Sequence, residues 1–169
     1  MEFSVVLGDL AEQSADALIY DAKTDLEMER DIARTLSREA GEAIVEDVAS
    51  EGPVELGQVV VTDAYELDAD YVIHAAAIPS HGQGEPSTAS IRAATKNALR
   101  RADTLDCDSC AMSVLGVDTA TQDFRDGAQD ICETIREYDP SRLERCDVVV
   151  SSESQYEYVA RTSESIRSA

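Results

Sequence analysis

The sequence predicts a three-layer α/β/α sandwich around a mixed, mostly parallel sheet of about six strands, in a single domain. Three observations carry this expectation. The 169 residues suit one core of ordinary size, and 43% of them are apolar. Short apolar runs punctuated by Gly, Pro and Asp alternate with stretches whose apolar residues recur every three or four positions. The order is two strands, a helix, two strands, then helix, strand, helix, strand, helix; the late alternation is that of a parallel sheet covered on both faces.

Residues 2–7, E-F-S-V-V-L, read as a strand closed by a turn at Gly8 and Asp9. Residues 16–21 are a second apolar stretch. Over 29–50, Ile32, Leu36, Ala40, Ile44 and Val48 fall at a spacing of four, one face of a helix with Gly41 as its candidate break and E-G-P at 51–53 as its end. Residues 57–63 and 70–75 are strands joined by a turn. The loop S-H-G-Q-G-E-P-S at 80–87 ends on Ser87, a good cap for a helix striped by Ile91, Ala94, Ala98, Ala102 and Leu105. Residues 110–116 read as a buried strand, Phe124 to Tyr138 as a helix ended by D-P, 146–151 as the last strand and 153–166 as the last helix. No internal repeat or low-complexity segment interrupts the pattern. Ligands of such sheets sit at the carboxyl ends of the strands, which directs attention to the loops at 8–10, 21–31, 76–88, 116–124 and 151–156.

Acidic residues number 35 against 14 basic, a formal charge of −21. The acids are spread along the chain instead of forming a tail. Lysine occurs only at 23 and 96, and tryptophan is absent. This is the habit of proteins that work in molar salt, where a Debye length of about 3 Å screens self-repulsion. A halophilic, archaeal or bacterial cytoplasm is expected, with folding that depends on salt. Nothing here builds a basic stripe, so nucleic acid is not an expected partner. No apolar run is long enough to span a membrane, and the amino-terminal residues do not read as a secretory signal. Of Cys107, Cys110, Cys132 and Cys146, the first two form C-D-S-C, a lone pair that signals a metal or redox centre weakly. Small apolar packing is the alternative, and no metal or cofactor is expected. His74 lies inside an apolar strand, as a core histidine would, and His81 in a loop suggests no particular role.

The stretch at 55–79, E-L-G-Q-V-V-V-T-D-A-Y-E-L-D-A-D-Y-V-I-H-A-A-A-I-P, resembles the middle of a macrodomain. The matching residues are Gly57, Thr62, Tyr65, Leu67, Tyr71, Val72, Ile73, His74 and Pro79. G-D-L at 8–10, D-A-L-I at 16–19, R-E-A-G at 38–41 and S-V-L-G at 113–116 are similar to the family's segments in the same order. The resemblance covers nearly the whole chain. It implies a cleft for ADP-ribose or a related nucleotide and, in some members, hydrolysis of ADP-ribosyl esters.

Carried over residue by residue, the resemblance implies that Asp9 accepts from the adenine amino group, with Leu10 as its apolar neighbour. A turn role for Asp9 stands beside that reading. Tyr156 falls where an aromatic ring lies against adenine; packing on the core is the equal alternative. Where the family reads D-A-I-V-N-A-A-N, this chain reads D-A-L-I-Y-D-A-K at 16–23, so Tyr20 and Lys23 replace two asparagines. The family's first glycine-rich loop aligns with Glu29, Arg30, Asp31 and Ile32. Its second aligns with Gly116, Val117, Asp118, Thr119 and Ala120, where only one glycine is kept. Lys23 and Arg30 are candidate phosphate ligands in place of the lost amides, or Lys23 pairs with Asp21, Asp25 or Glu27 at the surface.

Three functional readings follow. The first is a binding module for ADP-ribose or a related adenine nucleotide. The second is a hydrolase of ADP-ribosyl ester or phosphate bonds, disfavoured by Lys23 and the missing glycines, with Asp31 or Glu29 as substitute base and no catalytic residue assigned. The third is a scaffold acting through a protein partner, its cleft filled by Tyr20 and the charged residues 29–31.

Overall fold

The computed structural model describes residues 1–29, 31–80, 85–116 and 123–168. Strands β1 (Glu2–Leu7), β2 (Ala17–Lys23), β3 (Val59–Asp63), β4 (Tyr71–Ile78), β5 (Ser109–Met112) and β6 (Arg145–Val150) form one sheet in the order β1-β6-β5-β2-β4-β3. Every pairing is parallel except β3 with β4. The helices are α1 (Asp31–Ala40), α2 (Ala43–Ala49), α3 (Thr88–Thr104), α4 (Asp123–Glu137) and α5 (Glu153–Ser168). A short 3-10 helix covers Leu10–Glu12.

Alternation along the strands divides the core into two layers. On β2, Leu18, Tyr20 and Ala22 face α1, α2 and the 3-10 helix, while Ala17 and Ile19 face the layer of α3, α4 and α5. On β6, Val149 joins the first layer, and Val148 and Val150 the second. The three-layer sandwich with a mixed, mostly parallel six-stranded sheet is therefore as the sequence predicts.

The long helix expected over 29–50 is two helices. Gly41, at φ +107°, is the residue where the chain turns away after α1, its amide still bonded to Ser37 O at 2.9 Å. The cap expected at Ser87 is present: its hydroxyl accepts from the Ser90 amide at 3.1 Å, and Ser90 Oγ accepts from the Ser87 amide at 2.8 Å. The strand expected over 110–116 is shorter. Beyond Met112, Ser113 keeps one bond, from its amide to Ile19 O at 3.1 Å, and the chain turns at Leu115 and Gly116. Apolarity alone could not show that end, because Val114 and Leu115 remain buried after the ladder stops.

Candidate functional site

The five mutually parallel strands, β1, β6, β5, β2 and β4, end at one edge of the molecule. Their ends frame a cleft of about 1060 Å³.

At the β1 end, Asp9 caps the 3-10 helix, its Oδ1 accepting from the Ala11 amide at 3.0 Å. The turn role is thus fulfilled, and Asp9 also lines the cleft together with the buried Leu10. Beside them stand Val150, Ser151 and Gln155 from the end of β6 and the start of α5. Tyr156, the expected aromatic wall, does not line the cleft and is 38% exposed. Successive residues of a helix point about 100° apart, and the phase of α5 presents Gln155 to the cleft, not its neighbour.

In the middle, Asp21 and Lys23 reach the cleft from β2. Their parity is that of Ile19, opposite to Tyr20. The register of β2 against β4 slips here, Ala22 facing Ala76 and Lys23 facing Ile78, with Ala77 as the extra residue. Lys23 Nζ lies 3.3 Å from Asp25 Oδ2, with the lysine side chain 22% exposed. Burial opposes ionisation of Asp25, but the Glu27 amide, Lys23 and Ser80 outweigh it and hold the carboxyl below its ordinary value. The loop after β2 is tied to the loop after β4: Thr24 Oγ1 donates to Ser80 Oγ at 2.8 Å, and the Asp25 amide donates to the same oxygen at 2.9 Å.

Asp31 and Ile32 line the cleft from the start of α1. Asp31 has φ +46°, the left-handed region that glycine adopts freely and aspartate better than most residues. The backbone thus keeps a glycine-like turn without the glycine. Gly116 lines the cleft at φ +73°, and a Cβ there would stand 2.8 Å from Ile91 Cγ1. Arg30, Val117, Asp118, Thr119 and Ala120 lie outside the described residues, as does His81.

Tyr20 does not occupy the cleft. Its ring is buried in the layer of α1 and α2, and its hydroxyl meets His74 Nδ1 at 2.6 Å. That removes the occlusion by Tyr20 on which the scaffold reading drew. Burial drives the Tyr20 hydroxyl well above its ordinary pKa, with Asp21 adding to it, and pushes the His74 ring down to about 3. His74 is a neutral core histidine.

At the β4 end the cleft is walled by Ile78, Pro86, Ser87 and Thr88 and by Ile91 of α3; Phe124, Asp126 and Asp130 of α4 line it as well, the Phe124 ring lying 6.2 Å from that of Tyr158 on α5. Pro86, Ser87, Thr88 and Phe124 fall in or beside the loops at 76–88 and 116–124, and Gln155 in that at 151–156, to which the fold class directs attention; Asp126 and Asp130 carry no such signal, because α3 and α4 meet only in the folded chain. Among the described lining residues, carboxylates come from Asp9, Asp21, Glu27, Asp31, Glu85, Asp126 and Asp130, and Lys23 is the one base.

Cys107, Cys110, Cys132 and Cys146 are buried in the layer of α3, α4 and α5. Burial raises the thiols of Cys107 and Cys132 to about 12. A bond to Cys146, then burial, raises Cys110. They pack as small apolar side chains, the alternative to a metal or redox pair. Among the described residues no cluster of His, Cys, Asp or Glu is arranged to hold a metal ion, and no helix is long and apolar enough to cross a membrane.

Solved structures share this architecture. A variant of the Oceanobacillus iheyensis macrodomain solved with ADPR matches 98% of this chain and 93% of its own with a TM-score of 0.88, at 14% identity. The Trypanosoma brucei macrodomain in complex with ADP-ribose matches 95% of this chain and 68% of its own at TM-score 0.82 and 16% identity. By sequence, an uncharacterized protein of Pyrobaculum aerophilum is 34% identical over 170 residues, covering 93% of this chain and 92% of that protein. An uncharacterized protein of Mycobacterium tuberculosis is 31% identical over 145 residues; that match takes in 86% of this chain but only 40% of the mycobacterial protein's length. The family model described as Macro domain matches residues 21–131, from the cleft end of β2 through most of α4. On that match and the relatives' identity, the chain belongs to the Macro domain family.

Proposed function

We propose that the cleft binds ADP-ribose or a related adenine nucleotide, and that the protein is a binding module and not a catalyst. The observation that carries this is the open cleft across five strand ends, with Asp9, Leu10 and Gln155 grouped at one end of it. Asp9 there offers a carboxylate to an adenine amino group, and Lys23 at mid-cleft offers a cation to a diphosphate. Two fold neighbours, from Oceanobacillus iheyensis and Trypanosoma brucei, were solved with ADPR and ADP-ribose. Against catalysis stands Lys23 itself, an ion-paired ammonium where the resemblance implies an asparagine.

The formal charge of −21 supports a salt-rich cytoplasm as the working environment.

The test is calorimetric titration with ADP-ribose, AMP and ADP in about 2 M KCl, where surface charge is screened. Saturable binding of ADP-ribose is expected with Kd on the order of micromolar, weakened about tenfold by Asp9→Ala. Absence of heat from all three nucleotides would overturn the reading.

A further inference from the structure

The end of the cleft at α3 and α4 differs from the rest of this acidic surface. Surface carboxylates are solvated, but Asp130 is only 6% exposed, and its Oδ2 has no hydrogen-bond partner. Its Oδ1 lies 3.5 Å from Arg92 Nε. Arg92 cannot serve Asp130 alone, since it also pairs with Glu133 and, at 3.8 Å, with Glu137. Asp126 stands one helical turn before Asp130 and lines the cleft as well. Burial raises the Asp130 carboxyl above its ordinary value, Thr88 and Arg92 pull it back, and Glu133 and Asp126 push it further up. A buried carboxylate oxygen without a donor is costly, so the local charge is short of a cation.

A second orphan lies in the same cleft. Ser113 is 1% exposed, its hydroxyl has no partner, and the residue lines the cleft at the end of β5. Two buried polar atoms without partners therefore line one cleft, and the carboxylate oxygen, which can only accept, calls for a ligand with donors. Apolar and aromatic side chains line the cleft here too, Ile91 at 6% exposure and Phe124 at 8%. A planar, weakly hydrated cation that donates at its edge and stacks on its face matches such walls better than a compact ammonium does.

Topology sets which part of a nucleotide would reach this end. The strand order β1-β6-β5-β2-β4 puts Asp9 and Gln155 at one side of the cleft and Pro86 and Thr88, which follow β4, at the other; α4 lies between α5 and α3, and its Asp130 is bonded to Thr88. With adenine at Asp9, the diphosphate passes Lys23 and the second ribose faces α3 and α4.

We propose that the cleft wall formed by Asp130, Asp126, Thr88 and Phe124 takes a guanidinium group carried on the second ribose of an ADP-ribosyl ligand. This rests on the nucleotide reading above. The preferred ligand is then ADP-ribose conjugated to arginine or a similar guanidine, and a small turn of the Asp130 carboxyl presents Oδ2 to it.

The experiment compares three probes by calorimetry on the whole protein: ADP-ribose, its O-methyl glycoside and ADP-ribosylarginine. The arginine conjugate is expected to bind at least about tenfold more tightly than the methyl glycoside, the scale of a charge-assisted contact. In Asp130→Asn that ratio is expected to fall to about two or less. Equal affinities in the unaltered protein, or a ratio that survives Asp130→Asn, would overturn the proposal. Should Asp130→Asn fail to fold, Asp126→Asn replaces it, with a drop in the ratio of at least about threefold expected and an unchanged ratio counting against the proposal. Binding of ADP-ribose without any preference removes this inference alone. Failure of all three probes removes it together with the nucleotide reading.

Discussion

Tyr20 Oη lies 2.6 Å from His74 Nδ1, inside the sheet and out of reach of solvent. Its partners fix the direction of every proton in the group. Thr62 Oγ1 donates to the Asp63 carbonyl at 3.1 Å, which uses its only hydrogen. At 2.9 Å from His74 Nε2 it must therefore accept. Nε2 carries the ring proton, Nδ1 is bare, and Tyr20 donates to it. Tyr20→Phe leaves Nδ1 without a donor and is expected to cost about 1–3 kcal/mol in urea unfolding.

The same histidine predicts an acid dependence. Its folded pKa, about 3, is below the ordinary 6.5, so the unfolded chain takes up a proton that the folded chain refuses. The stabilisation is complete above about pH 6.5 and is lost as pH falls towards 3. Between pH 6.5 and 5, ahead of most carboxylates, the loss should approach about 1.4 kcal/mol per pH unit. Unfolding curves across that interval should flatten in His74→Gln; an equally steep curve in the variant would assign the slope to other groups.

Asp103 fastens the connection between α4 and β6. Oδ1 accepts from the amides of Arg142 at 2.8 Å and Leu143 at 2.7 Å; Oδ2 accepts from the Ser141 amide at 3.0 Å and from the Tyr138 hydroxyl. Burial alone would raise its pKa, yet these four bonds hold it below the ordinary 3.8. Its contribution is present above that value and fades below it. Asp103→Ala is expected to lower stability by about 2–4 kcal/mol, read as a fall in the thermal midpoint.

Gly116→Ala adds a Cβ 2.8 Å from Ile91 and 3.3 Å from the Ala77 carbonyl, at φ +73°. Strain and overlap together predict a loss of about 1–3 kcal/mol. Because Ile91 and Gly116 both line the cleft, ADP-ribose affinity should fall as well. A variant as stable and as tight as the parent would show that Ile91 yields freely.

Lys23 distinguishes a ligand from a surface pair. A partly exposed ion pair contributes about 0–1 kcal/mol, so Lys23→Met should leave the thermal midpoint nearly unchanged. If the ammonium meets the diphosphate, ADP-ribose affinity drops about tenfold. Unchanged affinity assigns Lys23 to Asp25 alone.

With a formal charge of −21, self-repulsion grows as salt is withdrawn. Helical circular dichroism should decline on dialysis from molar KCl to tens of millimolar. Full retention would show that the acidic surface is not an adaptation to salt.

The helices were legible because their burial is periodic, as from Ile91 to Ala102 and from Ile131 to Ile135. The central strand was legible as a continuous apolar run, Ala17 to Tyr20, buried on both faces. Of the residues singled out in the sequence, Asp9, Leu10, Lys23, Asp31, Ile32 and Gly116 line the cleft, each at or beside a loop that follows a strand. Tyr156 misled because its side chain was read without the phase of its helix. Tyr20 misled because a change of residue type was read as a change in the cleft, whereas strand parity turns that position inward. Asp126 and Asp130 carry no local signature, since their meeting with Thr88 depends on how α3 packs on α4.

The cleft also has a birth order. β1 pairs with β6, Leu7 beside Val150, so the pocket near Asp9 is walled by residues more than 140 positions apart. While the chain leaves the ribosome, the middle of the sheet can assemble first, and that pocket stays open-sided until Gln155 has emerged. A nascent chain halted before β6 would lack Val150, Ser151 and Gln155, so this side of the cleft closes only after β6 has paired with β1.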